Sequence, residues 1–115
     1  MSKVLKGSLS TEVTIEDEPG FGNANHKYYI RNIESGNLIG ELYFQSGPIN
    51  EVGINGVTNE DLLEIVTHRL ECFQSSQFSC RENALARTKI QEAIHWLAHR
   101  TAERQARGVE GTHQK

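Results

Sequence analysis

Residues 58–107 read TNEDLLEIVTHRLECFQ (58–74), SSQF (75–78) and SCRENALARTKIQEAIHWLAHRTAERQAR (79–107), and their hydrophobic period decides the fold. In the first block Leu62, Leu63, Val66, Leu70 and Phe73 recur at the three- and four-residue spacing that puts them on one face of a helix. Thr58 supplies a capping oxygen, and Asp61 stands three residues later, where a capping box needs its acid. In the second block Leu85, Ile90, Ala93, Ile94 and Leu97 mark another apolar stripe. Ser79 with Glu82 reads as a second capping signature, and Gly108 supplies the stop. Two helices joined by so few residues must turn back on each other, so this stretch predicts an αα-hairpin.

Upstream the period falls to two. Strand signals cover residues 11–16, 27–33 and 38–44, with a shorter one at 49–54. Turn signals punctuate them at residues 34–37, at Ser46-Gly47-Pro48 and at Asn55-Gly56. Residues 27–33 and 38–44 predict a β-hairpin, and the acidic, glycine-rich run 17–25 a surface loop. The fold class is therefore α+β: a small antiparallel sheet of three or four strands followed by a C-terminal αα-hairpin. A chain of 115 residues fits a single domain, with a sheet region at about 11–54, a helical hairpin at about 58–107 and a tail at 108–115. At that size a second copy would add substantially to its core.

Charge is unevenly placed. Residues 1–80 carry 5 Lys and Arg against 11 Asp and Glu, whereas residues 81–115 carry 7 against 4. An acidic body with a local basic segment suits a small anionic ligand and disfavours duplex DNA, which calls for a positive balance over the whole domain. No stretch is apolar enough to span a membrane, and the first ten residues have too short an apolar run for a secretion signal, so a cytoplasmic protein is expected. Cys72 and Cys80 lie outside any CxxC spacing and predict reduced, packed thiols, with no disulfide and no metal.

Catalytic constellations are thin. His95 and His99 share a helical face, but no acid completes an HExxH arrangement. His26 follows a glycine-rich loop without a nearby nucleophile or partner acid. Cys80 opens a helix, the setting that favours a thiolate, although burial in the hairpin is its expected fate. The glycines at 47, 53 and 56 match neither a P-loop nor GxGxxG and read as turns. No catalytic residue, cofactor or metal site is assigned.

Binding chemistry is richer. Trp96, Arg100, Arg104 and Arg107 fall along one side of a helix, where guanidinium forks can grip phosphate and an indole can stack on a base. The plainer alternative is solvated arginines favoured by the helix dipole, beside a packed Trp. Phe73 flanks the inter-helix turn, and the Asn83 amide matches the donor and acceptor edge of a purine.

Several blocks carry a family likeness. Cys80-Arg-Glu-Asn83-Ala, then TKIQEAIHWL (88–97), then the Arg100, Arg104 and Arg107 spacing running into Gly-Val-Glu-Gly-Thr112 resemble the bacteriophage Thoeris anti-defence family of the first described type. QSGPINEVGING (45–56) and Glu60-Asp61-Leu62 look like the same family, so the similarity covers residues 27–112. The helical hairpin also resembles that of the phage anti-CBASS cyclic-nucleotide sponges. The resemblance implies a sponge rather than an enzyme, one that holds cyclic ADP-ribose isomers made by TIR-domain enzymes. It also leaves room for cyclic di- or trinucleotides at separate sites. It implies a ligand at a subunit interface, in a homodimer or a hexamer of dimers, within the cytoplasm of an infected bacterium. Matched residue by residue, Phe73 takes the adenine, Asn83 makes the polar contact, and Arg100 and Arg104 clamp the pyrophosphate. Arg107 and the tail with Gly108, Gly111 and Thr112 close the pocket, while Trp96 packs within or between hairpins. Two other classes stay open: an enzyme cleaving a cyclic nucleotide through His26, His95 or His99, and a small module binding RNA or a host protein.

Overall fold

A computed structural model describes residues 3–115. The chain forms two compact units, one ending at Val57 and the other beginning at Thr58. The first is a four-stranded antiparallel sheet in sequential order, β1 (Lys3–Gly7), β2 (Thr11–Ile15), β3 (Lys27–Asn32) and β4 (Leu38–Tyr43). Alternation sorts its residues by face. Val13 pairs with Ile30, Ile15 with Tyr28, and Tyr28 with Leu42 on the apolar side. On the other side Glu12 faces Arg31 and Thr14 faces Tyr29, with Lys27 over the rings of Tyr29 and Tyr43 at 5.4 and 5.7 Å. The hydroxyl of Tyr29 hydrogen-bonded to Lys27 holds that ammonium above its ordinary pKa.

β1 lacks a sequence signal because Val4 and Leu5 are adjacent rather than alternating, and its register slips between Val4 and Lys6. Its turn into β2 is closed so tightly that a Cβ at Gly7 would lie 1.8 Å from the Thr11 carbonyl oxygen. The expected strand at 49–54 is instead a short helix, α1 (Ile49–Val52). The Pro48 carbonyl accepts from the amides of Glu51 and Val52 at 3.0 and 2.9 Å, and Gly53 at φ 79° ends the turn. The two periods cannot be told apart over so few residues.

Two amide side chains close the loop carrying α1. Asn55 Oδ1 accepts from the Ser46 amide at 2.8 Å, while Asn55 Nδ2 donates to the Ser46 carbonyl at 2.8 Å. Gln45 Oε1 accepts from the Asn55 amide, and its Nε2 donates to the Gly53 carbonyl at 2.8 Å. The 17–26 loop is tied as well: the Asp17 carboxylate accepts from the amides of His26 and Lys27. Desolvation works against the Asp17 charge, but those bonds win and hold its pKa below the usual carboxylate value.

The second unit is the hairpin of α2 (Asn59–Gln74) and α3 (Arg81–Ala106). The Thr58 capping box is formed, with Thr58 Oγ1 accepting from the Asp61 amide at 3.1 Å and the Asp61 carboxylate from the Thr58 amide at 2.9 Å. The second cap is Cys80, not Ser79. Its Sγ accepts from the Asn83 amide at 3.4 Å, because Gln74 holds both the N–H and the carbonyl of Cys80 and so closes the turn one residue later. Gly108 at φ 74° follows the last turn, as its position predicts.

The inner seam of α3 runs through Asn83, Arg87, Ile90, Ile94, Leu97, Thr101 and Arg104, facing Leu63, Thr67 and Leu70 of α2. Val66, Phe73, Leu85 and Ala93 are exposed instead, as are both cysteines, for which the sequence predicts packing. Two helices can cover only one stripe of each other. Among the described residues no apolar side chain is fully buried.

Candidate functional site

The residues singled out for binding all lie in the hairpin unit, at two ends of it. Phe73 ends α2 and Asn83 opens α3, and the Gln74–Cys80 hydrogen bonds hold these two helix ends together. Phe73 is 40% exposed, with the Arg69 guanidinium 5.6 Å from its ring centre, so its ring is available for stacking. Asn83 is half-buried, with its backbone amide donating to Cys80 Sγ at 3.4 Å.

The arginines sit at the far end, and they do not form one free stripe. Arg100 is exposed. Arg107 caps α3 and pairs with Glu103 at 2.6 Å. Arg104 is 6% exposed and turned inward, with all three guanidinium nitrogens engaged by the tail. Its Nε donates to Glu110 at 2.9 Å, its Nη2 to the carbonyls of Val109 and Thr112 at 2.8 and 3.1 Å, and its Nη1 to the carbonyl of Gln114. An inward helix position and a tail rich in turns explain this arrangement. Gly111 at φ 79° lets the chain wrap the guanidinium without strain. The Arg104 hydrogen bond, helped by the nearby Arg100 charge, holds the Glu110 carboxyl below its ordinary pKa. Sequence spacing could not reveal this, because three of the four acceptors are backbone carbonyls.

Trp96 is 65% exposed and does not pack within its own hairpin. It stands edge-on to His95 and His99, with ring centres 5.4 and 5.9 Å apart. His26 meets the Phe21 carbonyl at 3.1 Å in the sheet unit. Cys72 lies 3.8 Å from His68, an exposed pair that helical spacing alone could have flagged. Among the described residues no three His, Cys, Asp or Glu side chains cluster as a metal site would require, and no helix is long and apolar enough to cross a membrane.

A four-stranded antiparallel sheet followed by a capped helical hairpin defines an α+β hairpin protein. The family model of the Acb2/Tad1 hairpin domain matches residues 40–102, more than half of the chain. A protein named Thoeris anti-defense 1, from Bacillus phage SBSphiJ7, is 46% identical over 110 residues. That match covers 96% of this chain and 66% of the relative, so the chain spans just under two thirds of that protein's length. The chain belongs to the Thoeris anti-defence family.

Proposed function

We propose that this protein counters host immunity by binding a cyclic ADP-ribose isomer and withholding it, without chemical change, at a site built from two copies of the chain. One observation carries the reading. Asn83 and Arg100 are separated by 17 residues of one unbroken helix, about 25 Å at 1.5 Å per residue. No mononucleotide-sized ligand reaches both from a single chain. Two hairpins packed antiparallel bring the Phe73 and Asn83 end of one copy to the Arg100 end of the other. The apolar side chains that one hairpin leaves outside, Ile65, Val66, Leu85 and Trp96 among them, support that association.

In this reading Phe73 stacks on the adenine and Asn83 reads its edge. Arg100 grips the pyrophosphate, and Arg104 shares it by exchanging tail carbonyls for phosphate oxygens. Arg107 and the tail residues Gly108, Gly111 and Thr112 then close the site. Sequestration requires affinity rather than turnover, and charge-assisted bonds in a closed interface supply it without a shifted acid–base pair. The reading leaves room for cyclic oligonucleotides at other sites of a larger assembly.

The test mixes two defective variants. Asn83→Ala and Arg100→Ala should each release a cyclic ADP-ribose isomer that the wild type retains and yields intact on denaturation. Refolded together, half of the dimers are mixed, and each mixed dimer holds one undamaged site, so about a quarter of wild-type capacity returns. No recovery despite mixed dimers would reject the two-copy site, and a chemically altered ligand would make the protein an enzyme.

A further inference from the structure

Three polar residues are buried among the described residues, and two are fully accommodated. Thr14 donates to Glu16 at 2.5 Å, and Arg104 is wrapped by the tail. Thr67 is the exception: it is 6% exposed, in the inner seam of α2, and its hydroxyl has no partner among the described residues. A helical threonine ordinarily bonds back to the carbonyl four residues earlier, as Thr88 does to Ala84 at 3.1 Å. The only other buried side-chain polar atom without a partner among the described residues is Nε of Arg87, in the seam of α3.

The two lie at one level. Thr67 is eight residues before Ser75 and Arg87 seven after Cys80, so the antiparallel hairpin sets them opposite each other. Both groups are donors, and Arg87 can be nothing else. A pair of orphaned donors inside an apolar seam is a standing cost to stability unless an acceptor completes it. One turn away on the same seam is the half-buried Asn83.

We infer that Arg87 and Thr67 form a further oxyanion subsite, which takes a phosphoryl oxygen of the nucleotide from the same copy that supplies Phe73 and Asn83. The inference rests on the two-copy reading above and deepens it. The pyrophosphate is then held from both sides, by Arg100 of one copy and by Arg87 of the other. A phosphate oxygen fits because it accepts several bonds at once and Arg87 offers it a rigid fork.

The test follows the Nε–Hε resonance of Arg87 in the 15N-labelled full chain, assigned by its loss in Arg87→Lys. Cyclic ADP-ribose and inorganic pyrophosphate should both shift it. Arg87→Lys and the near-isosteric Thr67→Val should each weaken retention of cyclic ADP-ribose about tenfold or more, with the sedimentation of the protein unchanged. If ligand is retained, Arg100→Ala loses it, yet the Arg87 signal stays still and both variants bind normally, the subsite is rejected while the sponge reading stands. If cyclic ADP-ribose is not retained but pyrophosphate shifts the signal, the oxyanion site stands and the sponge reading falls. If neither ligand moves it, both fall. Dissociation of the Arg87→Lys protein into single copies would assign the acceptor to a partner's carboxylate and overturn the proposal.

Discussion

Arg104 couples the end of α3 to everything that follows it. Its guanidinium spans one carboxylate and three carbonyls, a task that a lysine ammonium cannot perform in the same geometry. Glu110 is the titratable half of that clasp. Because its folded pKa is depressed below 4.5, its contribution is fully present above that pH and is lost as the pH falls through the lower folded value. The protection of the Val109–Gln114 amides against exchange, measured relative to an unstructured chain at the same pH, should therefore fall below about pH 4.5 in the native protein. In Glu110→Gln that acid-dependent loss of protection should be absent, and its persistence would remove Glu110 from the clasp. Arg104→Lys should leave the tail unprotected at every pH. The spacing of arginines was legible in the sequence, but their division of labour was not, since inward and outward positions of α3 depend on where α2 lies.

At the level of elements, local chemistry determines how much could be read in advance. The capping box at Thr58 and the glycine stop at 108 are short-range signals, and both are found where the sequence puts them. Thr58→Ala should cost about 1 kcal/mol and lower the melting temperature of the hairpin unit, observed by circular dichroism; an unchanged melt would mean that the cap contributes nothing. The paired strands β2, β3 and β4 were legible for the same reason, each having alternation and a turn. β1 and α1 were not, because one has a slipped register without alternation and the other is a single turn bounded by Pro48 and Gly53. Gly56 passes so close to β4 that an added Cβ would lie 2.4 Å from the Phe44 carbonyl carbon. Gly56→Ala should thus destabilise the sheet unit by about 2 kcal/mol or more, read as a lowered denaturant midpoint of the tyrosine signal, and a wild-type midpoint would show that the backbone gives way freely.

For the whole molecule, the decisive fact is how little apolar surface either unit hides. The hairpin is legible as a hairpin, but its apolar stripes read as core, and the structure leaves Val66, Phe73 and Leu85 outside. No local pattern distinguishes a face meant for a neighbouring helix from one meant for another copy. If a second copy covers these side chains, stability becomes a function of how much protein is present. The melting temperature should rise by several degrees over a hundredfold increase in concentration, measured by calorimetry, whereas a concentration-independent melt would mark a self-sufficient monomer. Such a dependence would also set a dosage law. In a cell where the protein has only begun to be made, copies would be scarce, weakly folded and exposed to proteolysis. Signal-binding capacity would then climb more steeply than synthesis, so the timing of expression would matter as much as its final level.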